Sequence, residues 1–112
     1  MVGSYAQTEL GHGSNVAGLE TTATYDKETD EFVIHTPTFK AAKFWPGNLA
    51  WQANHALLYA RCITQGKDYG VQSFVVPIRD METHETLPGC TIGDIGTKLG
   101  YNSIDNGYLM FN

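Results

Sequence analysis

ETTATYDKETDEFVIHT, residues 20–36, decides the fold class. Two runs rich in Thr, Val, Ile and aromatic residues, Glu20 to Asp26 and Glu31 to Thr36, flank the polar link Lys27-Glu28-Thr29-Asp30. β-Branched and aromatic side chains fit a pleated, half-buried surface, and a short polar link lets two such runs fold back on each other, so the stretch reads as a β-hairpin. Farther along, HALLYARCIT (His55 to Thr64) has apolar positions that would also suit a helix. The turn-like QGKDYG and the β-rich GVQSFVVPIR that follow make a second hairpin the better reading. Pro77 has no N–H to give to a ladder, so it puts that strand at a sheet edge or marks its end. Glycines at 89, 93, 96, 100 and 107 punctuate the tail too often for a helix. NGYLMF closes the chain as a strand, and a short strand-like run, Ser4 to Gln7, opens it. Residues 1–112 therefore read as one all-β domain, a small barrel or sandwich of about six to seven short antiparallel strands, with no repeat, linker or low-complexity segment.

Composition narrows the function classes. Seven Lys and Arg stand against twelve Asp and Glu, a net charge of −5, and the cations are scattered singly. Binding to a phosphate backbone relies on clustered positive charge, so nucleic acid is not an expected partner. No apolar run approaches the ~20 residues of a membrane span, and the first residues lack a basic segment followed by an apolar one, so neither membrane insertion nor secretion is expected. Cys62 and Cys90 sit in no CxxC or His-Cys pattern and read as buried free thiols in a reducing compartment. The four histidines, His12, His35, His55 and His84, have no partner at ligand spacing, and no metal is expected.

Two stretches invite a ligand. In YAQTELGHGSN (Tyr5 to Asn15), glycines one residue apart let the backbone bend tightly and turn its N–H groups outward, as a phosphate or flavin edge can use; ordinary loops have the same composition. The stretch is not GxGxxG, since the third glycine falls at Gly18 and no helix pattern follows. GDIGTKLG (Gly93 to Gly100) lacks the Gly-Lys-Ser/Thr ending of a phosphate loop, and Ser14 and Ser103 lack a nucleophile-elbow context. Glu9, at the mouth of the glycine loop, is expected to accept backbone hydrogen bonds rather than to abstract protons. In KFWPGN (Lys43 to Asn48), Pro46-Gly47 makes a stiff corner that either holds the Trp45 ring against a flat ligand or leaves it in the core.

YAQTELGHGSNVAGLETTATYD, KFWPGN and LPGCTIGDIGTKLGYNSIDNGYL together resemble the middle β-domain of the acyl-CoA oxidases, flavoenzymes of the acyl-CoA dehydrogenase superfamily. The resemblance runs over essentially the whole chain. It implies an FAD enzyme of peroxisomal fatty acid β-oxidation that converts fatty acyl-CoA to trans-2-enoyl-CoA and passes the electrons to O2, giving H2O2. Carried over by position, Thr8 would contact the pyrimidine side of the flavin, the Gly47 backbone its reactive edge and Trp45 its ring. Ser14 and Gly13, in a loop shaped with Gly11, would lie near the bound acyl-CoA. Where the dehydrogenase relatives place a larger residue, Gly47 would leave room for oxygen.

The resemblance also implies helical domains on both sides of this segment. Those that follow it would contain the catalytic glutamate, so no catalytic residue is assigned here; they would also hold much of the FAD site and the surface of a homodimer. Base and hydride acceptor held by different domains cannot be oriented by one of them, so this segment alone is expected neither to oxidise acyl-CoA nor to hold FAD tightly.

Overall fold

The structure is a computed structural model that describes residues 3–11, 15–47, 49, 51–94 and 106–112. Among these residues the chain forms eight strands: β1 (Gly3–Ala6), β2 (Thr22–Asp26), β3 (Glu31–His35), β4 (Lys43–Gly47), β5 (His55–Thr64), β6 (Lys67–Pro77), β7 (Cys90–Asp94) and β8 (Asn106–Phe111). Two single 3₁₀ turns, Val16–Gly18 and Phe39–Ala41, are the helical content of the described residues. None of that is long and apolar enough to cross a membrane.

Both hairpins form as their composition dictates. β2 and β3 pair in antiparallel register from Thr22↔His35 to Asp26↔Glu31. Asp26 closes the link by accepting the Glu28 N–H at 2.9 Å, the usual way a short acidic side chain caps its own turn. β5 and β6 pair from His55↔Pro77 to Thr64↔Lys67 around a tight turn at Gln65 and Gly66, whose φ angles of 52° and 74° match the right-handed twist of the flanking strands. The turn is thus confined to those two residues, and Lys67 to Gly70 already belong to β6. β6 pairs only with β5 among the described strands and ends at Pro77, where a missing N–H does no harm.

β5 is the hub. β6 covers one of its edges, and β1 and β2 lie end to end along the other, both parallel to it, at Gly3↔His55 to Ala6↔Leu58 and at Thr22↔Arg61 to Thr24↔Ile63. With β3 outside β2 this makes a five-stranded sheet, and β4, β8 and β7 make a second, antiparallel sheet of three. The all-β class holds, with more strands than the composition suggests and with parallel pairings it does not show. A parallel pair needs a long connection, whereas reading along a chain finds only neighbouring strands that fold back on each other.

Two further features differ from expectation. KFWPG is a strand rather than a corner: β4 pairs with β8 at Lys43↔Leu109 and Phe44↔Tyr108, then the register shifts before Gly47↔Asn106. Pro46 falls inside that irregularity, where no ladder hydrogen bond is required of it. CTIGD is strand β7 despite its glycine, because the Tyr108 ring of the facing strand lies where a side chain on Gly93 would project, with Cζ 2.5 Å from the would-be Cβ. An aromatic ring over a strand glycine restores the packing that glycine lacks.

The core alternates in from both sheets. On β5 Ala56, Leu58 and Ala60 are buried while Leu57 faces out; Ala6 and Ala23 join them from β1 and β2, Leu109 and Phe111 from β8. Half of the core set is alanine, so the layers meet through small side chains, and Leu58, Leu109, Ile78 and Phe111 supply most of the buried apolar bulk. Burial of a leucine side chain contributes about 1.5–3 kcal/mol. Cys62 and Cys90 are unpaired and half-buried, and burial pushes the Cys90 thiol up.

Among the described residues the sheets touch at two junctions, and no continuous barrel ladder closes between them. At one, Glu9 bridges Lys43 in antiparallel register. At the other, Thr36 N–H donates to Phe111 O at 2.8 Å and Phe111 N–H donates to Thr36 Oγ1 at 2.8 Å.

Candidate functional site

The Glu9–Lys43 junction is where the two ligand-inviting stretches come together. The chain leaving β1 continues through Gln7 and Thr8 alongside β4. Phe44 N–H donates to Thr8 O at 2.9 Å, and Leu10 N–H to Ala42 O at 2.8 Å. Ser4 Oγ–H donates to Gly47 O at 2.7 Å. Thr8 and Gly47 therefore lie on adjoining antiparallel segments, on one side of the molecule, separated along β4 by about three residues or roughly 10 Å of extended chain.

Glu9 and Lys43 are both buried, at 1% and 0% exposure. Glu9 accepts the Glu20 N–H on Oε1 at 2.7 Å and, on Oε2, the Thr21 N–H at 2.9 Å and Lys43 Nζ at 3.1 Å. Lys43 Nζ also donates to Gln7 O at 2.9 Å. Burial pushes the Glu9 carboxyl up, but the N–H groups of Glu20 and Thr21 and the charge of Lys43 together hold it below the ordinary glutamate value. For Lys43, burial outweighs the raising influence of Glu9 and pulls the ammonium below the ordinary lysine value. A carboxylate with both oxygens engaged and its pKa lowered is a poor proton acceptor, so Glu9 is a structural acid, as its place beside the turn suggests.

The residues expected to meet a ligand divide by what the structure describes. Thr8 is half-buried, and among the described residues none meets its hydroxyl with a hydrogen bond. A Cβ built on Gly47 would have nothing within 4 Å, so this backbone borders open space. Trp45 is placed by its backbone in β4, with its side chain outside the description; Gly13 and Ser14 lie outside the described residues. Gly11 is a close approach: its N–H donates to Lys40 O at 2.8 Å, and a Cβ there would stand 3.0 Å from Lys40 Cβ. A polar group and an open glycine backbone on adjoining segments suit the edge of a flat heterocycle. No group of three His, Cys, Asp or Glu side chains among the described residues is arranged to hold a metal.

Among the described residues, one cavity adjoins the junction and another lies farther along β1. One of about 410 Å³ is lined by Leu10, Phe39, Ala42, Phe44, Tyr108 and Met110 together with Thr91, and one of about 420 Å³ lies beside β1 over Tyr5, His55 and Val75. Neither includes Thr8 or Gly47, so the junction rather than either hollow brings the expected residues together.

The residue that composition overlooked is Lys43. A single cation between Ala41-Ala42 and Phe44-Trp45 carries one signal, that a lysine amid apolar neighbours on a strand needs a buried acid; the identity of that acid depends on a pairing across more than thirty residues. Arg79, also buried, donates from Nη1 to Leu49 O at 2.8 Å and Ala53 O at 2.7 Å, and so ties down the segment that follows Gly47.

Residues 4–112 match the family model described as acyl-CoA dehydrogenase, middle domain. The chain belongs to that family. Its resemblance to the oxidase branch is supported by the peroxisomal acyl-coenzyme A oxidase 1 of Arabidopsis thaliana, which is 64% identical over 100% of this chain and 17% of that protein. Among solved structures, Arabidopsis thaliana acyl-CoA oxidase 1 superposes on this middle domain with a TM-score of 0.96 at 65% identity, over 98% of this chain and 17% of that one. Acyl-CoA oxidase-1 of Caenorhabditis elegans, described as complexed with FAD and ATP, does so with a TM-score of 0.97 at 56% identity, over 100% of this chain and 17% of that one. The chain thus spans about a sixth of the length of the relatives it matches.

Proposed function

We propose that this domain is the cofactor- and thioester-facing middle part of a peroxisomal acyl-CoA oxidase, an FAD enzyme that oxidises fatty acyl-CoA to trans-2-enoyl-CoA and uses O2 as electron acceptor, giving H2O2. The observation that carries the reading is the 64% identity, across the entire chain, to a protein named as such an oxidase. The junction geometry supports where the cofactor would lie: the half-buried Thr8 hydroxyl would hold the polar side of the ring, the open Gly47 backbone would let the reactive edge approach, and Trp45 would pack against the ring. Gly13 and Ser14 would run beside the acyl-CoA. FAD, when bound, supplies the hydride acceptor and the electrons for oxygen. What this chain supplies is position and exclusion of water; the base that takes the α proton, most of the remaining cofactor contacts and the surface of a homodimer would come from helical domains of the same enzyme.

An absorbance spectrum and an oxygen-electrode assay on the full-length gene product test the reading. The expected result is a flavin spectrum, with oxygen consumption and enoyl-CoA formation on adding a fatty acyl-CoA. A flavin spectrum without oxygen consumption, together with electron delivery to an electron-transfer flavoprotein, would make the enzyme a dehydrogenase. Absence of bound flavin would leave a non-catalytic binding module.

A further inference from the structure

We infer that the buried Glu9–Lys43 pair is a positioning device, which holds the Thr8 peptide and the Lys43–Gly47 strand in fixed register as one wall for the flavin. The inference rests on the functional reading above and goes beyond it, because neither residue touches the proposed cofactor position.

The need for such a device follows from β4. Its ladder to β8 breaks between Phe44 and Gly47, and Pro46, within the break, has no N–H to give. The β8 side therefore meets that stretch only through Gly47↔Asn106, beyond the shift, and does not by itself fix Trp45 and Pro46. The β1 side does, at both ends: Ser4 Oγ–H holds Gly47 O at 2.7 Å, and Lys43 is held by Glu9 and by Gln7 O. Thr8 stands between Gln7 and Glu9, so the same ammonium grips the residue on each side of it. The carboxylate in turn reaches the Glu20 and Thr21 N–H groups at 2.7 and 2.9 Å, and Thr21 Oγ1–H donates to Ala41 O at 2.9 Å, two residues before Lys43. Strand β1's exit, the start of β2 and the start of β4 thus share one hydrogen-bonded knot.

Fold stability alone does not require charges here. Desolvation of two ions offsets much of their attraction, and an apolar pair of similar volume serves a core as well or better. What an apolar pair lacks is direction: it has no donor for Gln7 O and no acceptors for the two N–H groups.

The test uses the full-length enzyme carrying Glu9→Leu together with Lys43→Met. Thermal unfolding of the apoenzyme should fall, because Gln7 O and the Glu20 and Thr21 N–H groups lose their partners; at a temperature where the double variant is fully folded, the Kd for FAD, read by quenching of flavin fluorescence, should rise about tenfold and the visible flavin band should shift. Unchanged affinity and spectrum in the folded double variant would overturn the inference. Should that variant fail to fold, Lys43→Arg, which keeps the charge but not the ammonium geometry, should still weaken FAD; unaltered binding there would overturn it equally. Thr8→Val separates the two levels. Weaker FAD in Thr8→Val beside unaltered binding in the double variant leaves the flavin wall standing and removes only the positioning role. No effect of Thr8→Val on affinity or spectrum removes the flavin wall, and the inference with it.

Discussion

The same two sheets are joined twice, by opposite means. At Thr36 and Phe111 the link is neutral, with two hydrogen bonds of 2.8 Å between a backbone and a threonine. At Glu9 and Lys43 it is a buried ion pair with further partners on three other residues. Both tie one sheet to the other, yet only the second lies next to Thr8 and the Lys43–Gly47 strand. The contrast teaches that the fold needs a seam, which neutral groups supply adequately, and that the costlier charged version occurs where register must be specified from several directions.

The comparison breaks first at Lys43. Lys43→Met leaves the Glu9 carboxylate buried and uncompensated and should destabilise the domain by about 3–5 kcal/mol, read as a lower urea midpoint. Thr36→Val at the neutral seam removes the acceptor of one buried N–H and should cost about 1–3 kcal/mol in the same measurement. A loss at Thr36 as large as at Lys43 would erase the distinction.

Acid sharpens it further. Because the folded pKa of Glu9 lies below the ordinary glutamate value, the contribution of this group is complete above that ordinary value and disappears as pH falls through the lowered one. Urea midpoints should therefore drop on acidification, and Glu9→Gln should flatten that part of the profile while Thr36→Val leaves its shape intact. An equally steep acid limb in Glu9→Gln would assign the effect elsewhere. The smallest effect on stability is expected at Gly47, where an added Cβ meets nothing within 4 Å. Gly47→Thr in the full-length enzyme should leave the unfolding midpoint unchanged and slow reoxidation by oxygen more than flavin reduction; equal slowing of the two half-reactions in stopped flow would count against an oxygen path there.

Much of this was legible from local chemistry. The β2–β3 and β5–β6 hairpins follow from residue type and turn, because strand partners a few residues apart are determined by neighbours. Glu9 was readable as an acceptor of backbone hydrogen bonds for the same reason. What stayed hidden depends on distance along the chain. Nothing near Gly3 announces that it pairs in parallel with His55, nothing near Lys43 names Glu9, and the glycine of CTIGD looks like a loop until the Tyr108 ring of another strand covers it. Thr8 and Gly47 were assigned through the family resemblance, and the structure sets them on adjoining segments.

The two parallel ladders on β5 impose an order of events. Gly3 to Ala6 and Thr22 to Thr24 find their partners only at His55 to Leu58 and Arg61 to Ile63, so neither ladder can form until the hub strand has left the ribosome. Hairpins with nearby partners close early, whereas contacts between distant segments slow folding. The Glu9–Lys43 corner depends on a chain segment that waits for β5, so it belongs to the late stage of assembly, and a slow step there would delay completion of the proposed flavin wall rather than collapse.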